Sequence, residues 1–63
     1  MLDENIEKLR LNIETVKILK RNKIVKIKQL TNKTKTKLKE IGLEGYQISE
    51  IEIKLQLEGL DLK

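Results

Sequence analysis

The segment Ile41-Gly42-Leu43-Glu44-Gly45 constrains this chain more than any other stretch. Before it, Leu38 and Ile41 sit three apart; after it, Ile48, Ile51 and Leu55 recur at helical spacing. Two glycines three apart between two helices predict a tight backbone turn, because glycine takes φ > 0 without strain. Such a hairpin can leave backbone N–H groups pointing outward near a helix N-terminus. That is a ready anion site, and in a basic chain the matching anion is a nucleic-acid phosphate. A plain connector between two helices accounts for the same glycines, and their spacing alone does not separate the two readings.

The chain has 63 residues, enough for one small domain spanning residues 1–63. Nine Ile, eleven Leu and two Val supply nearly all of its apolar side chains. A chain of this length buries roughly 60% of its unfolded surface, so nearly all of them must pack. The absence of Cys and His excludes thiol and imidazole catalysis, disulfides and the usual zinc sites. Acid pairs such as Glu50 with Glu52 or Glu58 have no nucleophile or base beside them, so no enzymatic activity, cofactor or metal is expected. No apolar run approaches the ~20 residues of a membrane span. The acidic start, Met1-Leu2-Asp3-Glu4, lacks a signal-peptide pattern, so a cytoplasmic location is expected.

Charge is unevenly distributed. Residues 1–39 carry twelve Lys and Arg against four Asp and Glu, a balance of +8, whereas residues 40–63 carry two against six, a balance of −4. A basic end suits an anionic partner, although a lysine-rich solvated surface gives the same count. Lys20, Lys23, Lys26 and Lys28 are read as solvated or generally attractive to DNA. The Lys33, Lys35 and Lys37 alternation is read as a solvated turn.

Periodicity gives the elements. Residues 1–11, with Ile6, Leu9 and Leu11, show no clear helical face and read as an extended or turn-like lead-in whose apolar residues cover the core. Asn12 is a good N-cap for a helix over about Ile13 to Arg21, with Val16 and Leu19 on one face. After a break at Asn22-Lys23, Ile24, Ile27 and Leu30 recur every three residues and predict a short second helix. Val25 is β-branched and would also suit a strand; the spacing favours the helix. Thr34 caps a third helix, roughly Lys35 to Glu40. The fourth spans about Gln47 to Glu58, with Gly59 just past its end and Leu60 and Leu62 folding back. Ile53 and Leu57 fall nearly opposite Ile48, Ile51 and Leu55. Either the lead-in, through Leu2 and Ile6, covers that second face or a partner does; partial cover by the lead-in is expected.

Taken in order, three runs of residues form a recognisable whole. The first is Ile6-x-x-Leu9-x-Leu11-Asn12-Ile13-x-Thr15. The second is Leu19-Lys20-Arg21-x-x-Ile24-x-x-Ile27-x-x-Leu30, leading to the glycine hairpin. The third is Ile48-Ser49-Glu50-Ile51-x-x-x-Leu55-x-x-x-Gly59-Leu60-x-Leu62. Over residues 6–62 the chain resembles the C-terminal domain of the bacterial RNA polymerase alpha subunit. The resemblance implies an all-α, compact four-to-five-helix domain with an irregular N-terminal arm and a helix-hairpin-helix element. It also implies docking on the minor groove of A/T-rich promoter DNA, with contacts to transcription activators, the sigma factor and the rest of the polymerase. Met1 then reads as a start added to a piece of a longer chain.

The resemblance also assigns positions. It sets Glu14 where the family carries the Arg that enters the groove, and a carboxylate there is repelled by phosphates. Lys17 falls at a nearby Asn and keeps a DNA-compatible side chain. Gly45, Tyr46 and Gln47 fall at the hairpin, where an N–H, a hydroxyl and an amide would reach phosphate. Lys17 also reads as a solvated helix face, and Tyr46 as a half-buried ring over the hairpin. Glu50 matches an acidic residue of the fourth helix, and with Ile53 and Leu57 it makes a candidate partner surface. Two alternatives stay open: a free-standing regulatory or phage protein that mimics this domain and binds polymerase, and a generic helix-hairpin-helix DNA-binding module.

Overall fold

A computed structural model describes residues 1–63 and is all-helical, with one 3-10 turn (Ile6–Leu9) and four α-helices. These are α1 (Ile13–Arg21), α2 (Ile27–Thr31), α3 (Lys35–Glu40) and α4 (Gly45–Leu57). The starts follow from side-chain caps. Asn12 Oδ1 accepts from the Glu14 N–H at 2.9 Å, and Thr34 Oγ1 accepts from the Lys37 N–H at 3.1 Å. Each satisfies an N–H that the first helical turn cannot bond internally.

Three of the four helices stop in the same way. In α1, the Ile24 and Lys23 N–H groups donate back to the Leu19 and Lys20 carbonyls. In α3, Leu43 and Gly42 donate to Leu38 and Lys39, and in α4, Leu60 and Gly59 donate to Leu55 and Gln56. This is the Schellman arrangement, in which one left-handed residue ends the helix and the next apolar residue folds onto the last turn. The left-handed residues are Lys23 (φ 62°), Gly42 (φ 108°) and Gly59 (φ 75°). The apolar residues that follow are Ile24 and Leu43, both buried, and Leu60, partly buried.

One core of twelve residues results: Ile6, Leu9 and Leu11 from the lead-in join Leu19, Ile24, Ile27, Leu30, Leu38, Leu43, Ile48, Ile51 and Leu55. The C-terminal tail closes over it, with Leu60 and Leu62 packed on the core and the Lys63 N–H bonded to the Lys33 carbonyl at 2.9 Å.

Two sequence expectations are corrected here. The helix expected over Ile24 to Leu30 begins only at Ile27; residues 24–26 are extended, and Asn5 and Lys26 form an isolated antiparallel bridge. The lead-in imposes this by pairing with that stretch: Ile6 N–H donates to the Val25 carbonyl, and Ile27 and Lys28 N–H donate to the Glu4 and Leu2 carbonyls. The lead-in is turn-like, as its sequence reads: it holds a 3-10 turn, capped by Asn5, that buries Ile6 and Leu9. Finally, α4 starts at Gly45 rather than Gln47, so only Gly42 of the hairpin pair uses a positive φ.

Truncating Leu19, Ile27, Ile51 or Leu55, all fully buried, to Ala is expected to cost about 2–5 kcal/mol in urea denaturation. Lys23→Gly relieves the one non-glycine helix stop and is expected to raise stability by about 0.5–1 kcal/mol in the same measurement.

Candidate nucleic-acid interface

The hairpin is built from α3, Gly42-Leu43-Glu44 and the first turn of α4. Gln47 organises that turn. Its Oε1 accepts from the Glu44 N–H at 2.8 Å, and its Nε2 donates to Thr15 Oγ1 at 3.2 Å. Thr15 is fully buried and Gln47 only 4% exposed. A buried polar pair is tolerated because each group finds its partner. The bond ties the first turn of α1 to the first turn of α4. Farther along α4, Glu50 Oε1 accepts from the Asn12 N–H at 3.3 Å and adds a second tie.

Gln47 is therefore corrected as a candidate contact: both ends of its amide are committed inside the fold, and it positions the hairpin rather than meeting phosphate. Gly45 is exposed, with open space where a Cβ would stand. The Gly45 and Tyr46 N–H groups have no acceptor within the chain, as expected of the first residues of a helix without a side-chain cap. They carry the positive end of the helix dipole. The N-terminus of α2 contrasts with this. Its Ile27 and Lys28 N–H groups are taken by the lead-in, and Gln29 Oε1 accepts from Val25 and Lys26. The Tyr46 ring is 73% exposed and does not cover the hairpin.

Beside Gly45 lies a shallow groove of about 260 Å³ between α3 and α4. Lys35, Thr36 and Lys39 line one wall; Gly45, Ser49 and Glu52 line the other. Lys35 Nζ is held by Glu52 at 3.2 Å, whereas Lys39 enters no ion pair. The exposed, unpaired Lys39 ammonium, two hydroxyls and the free Gly45 N–H, with the Glu52 carboxylate held by Lys35, make a surface that can accept an anionic oxygen. Lys39, Thr36 and Ser49 were not legible as a group in the sequence. Their separation along the chain hides a proximity that only α3–α4 packing creates.

Glu14 and Lys17 are exposed on the outer side of α1, with Lys17 Nζ 3.9 Å from the Glu14 carboxylate. An exposed pair of this kind contributes little to stability, and Lys17 is partly neutralised by its own neighbour. The expected cover of Ile53 and Leu57 by the lead-in does not form. These residues are 57% and 75% exposed, because Ile6 turns into the core and Leu2 stays at the surface. No helix is long and apolar enough to cross a membrane. Comparison with protein-family models and with curated proteins gives no match.

Thr15→Val keeps the shape of the buried side chain and removes the acceptor from Gln47 Nε2. It is expected to cost about 1–3 kcal/mol, the scale of one unsatisfied buried donor. Chemical denaturation gives the size of the loss, and amide exchange at Glu44 reports loosening of the hairpin.

Proposed function

We propose that this chain is a non-catalytic transcription module of the cytoplasm, resembling the C-terminal domain of the bacterial RNA polymerase alpha subunit. In this reading it touches promoter DNA through its hairpin, and activators, the sigma factor and the rest of the polymerase through other faces. The observation that supports the reading best is the open first turn of α4, whose unpaired Gly45 N–H shares a groove with the free Lys39 ammonium. The +8 balance of residues 1–39 adds long-range attraction to a polyanion.

The mode of contact follows from the chemistry. Backbone N–H groups and lysines hold phosphates and position a duplex without reading its sequence. Base reading would fall to the exposed side of α1, where Glu14 stands. A carboxylate near phosphate opposes insertion into a groove, so binding is weak and nearly indifferent to base composition.

A second reading is a regulator that binds polymerase in place of DNA. The exposed Ile53 and Leu57 favour it, as does the acidic balance of residues 40–63.

Titration of A/T-rich and G/C-rich duplexes at low salt separates the two. The expected result is weak, salt-sensitive binding to both. Lys39→Glu is expected to weaken it and to lower the salt slope by about one. Glu14→Arg is expected to strengthen A/T-rich binding by about 1–3 kcal/mol. Tight, A/T-selective binding by the unaltered chain would contradict the assignment of Glu14. No binding at low salt, in the unaltered chain and in Glu14→Arg alike, would leave the polymerase-binding regulator.

A further inference from the structure

Three exposed side chains of α4 form one stripe. At 100° per residue, Tyr46, Ile53 and Leu57 fall within about 40° of one another, pointing away from the buried Ile48, Ile51 and Leu55. One flank of the stripe carries Glu50 and then Lys54; the other carries Ser49 and then Gln56. Lys54 enters no ion pair within the chain, and Glu50 uses only Oε1 on Asn12.

This pattern is complementary to itself when reversed. A two-fold axis perpendicular to α4 at the level of Glu52 lays a second copy antiparallel and brings like flanks together. Glu50 then faces Lys54 of the second copy, and Lys54 faces its Glu50. Ser49 meets Gln56 on the other flank. Ile53 meets Ile53 near the axis, and Tyr46 covers Leu57 at each end. A parallel pairing loses this match, because it sets the charged flank against the uncharged one. We propose that α4 is a homodimer interface, in which two copies of this chain pair antiparallel through Tyr46, Ile53 and Leu57, with reciprocal Glu50–Lys54 ion pairs.

The contact is one helix long. It therefore buries less than the ~800 Å² per partner of a standard stable interface, so the dimer is weak and forms only at high concentration. The proposal does not depend on DNA contact, since it rests on the stripe itself; Ser49 alone borders both the stripe and the hairpin groove.

Sedimentation equilibrium from 10 µM to 2 mM tests it, with circular dichroism to confirm folding. The unaltered chain is expected to move from monomer to dimer over that range. Leu57→Lys and Lys54→Glu, both at positions outside the core, are each expected to weaken association at least about tenfold. Glu50→Lys alone is expected to do the same. An equimolar mixture of Glu50→Lys and Lys54→Glu chains is expected to recover dimerisation, because the two carry opposite charges on the paired flank. A chain that stays monomeric at 2 mM overturns the proposal, as does association unaffected by Leu57→Lys and Lys54→Glu. A mixture that associates no better than its components overturns the antiparallel register.

Discussion

The fold depends on stopping its helices. Helices of 9, 5, 6 and 13 residues are too short to persist alone in water. They hold because each buries an apolar face in a shared core. A core shared by four short helices requires the chain to reverse abruptly between them. The Schellman stops at Lys23, Gly42 and Gly59 supply this, and each drops the next apolar residue, Ile24, Leu43 or Leu60, onto the core. Backbone geometry and hydrophobic burial are thereby coupled at three points. Glycine occupies two of these three stops, and at the third Lys23 adopts the strained conformation itself.

The lead-in completes what the helices cannot. Its 3-10 turn contributes Ile6 and Leu9 to the core, and its carbonyls accept the first N–H groups of α2. A five-residue helix gains a filled N-terminus in this way. The N-terminus of α4 is treated differently. Gln47 is turned inward to Thr15 and Glu44, leaving Gly45 and Tyr46 uncapped beside Lys39. The buried Thr15–Gln47 bond thus docks α4 on α1 while the same amide closes the Glu44 N–H, and the Gly45 and Tyr46 N–H groups are left without an acceptor.

α4 carries three surfaces at once. Ile48, Ile51 and Leu55 anchor it in the core, its first turn faces the α3 groove, and Tyr46, Ile53 and Leu57 are left to solvent. The basic character of the rest of the chain and the acidic character of this helix divide the labour that we propose. Lysines attract a polyanion to the hairpin, and a mixed-charge apolar stripe suits protein contact.

The sequence by itself determined the all-α class, the caps at Asn12 and Thr34, the bounds of α1 and α3, and the return of Leu60 and Leu62. These are local matters, set by side chains that bond their own neighbouring backbone and by apolar spacing within one turn or two. Tertiary structure decided the remainder. Residues 24–26 have helical spacing yet run extended, because the lead-in N–H of Ile6 takes the Val25 carbonyl while Leu19 and Gln29 take the N–H groups of Ile24, Val25 and Lys26. Gln47 looks like a surface amide and lies buried, because its partner Thr15 is 32 residues away. Lys39, Thr36 and Ser49 share a groove with Gly45 only because α3 packs on α4. Ile53 and Leu57 are open because Ile6 goes into the core instead of over them. Each depends on which distant segment occupies a shared position, and periodicity along a single chain carries no record of that.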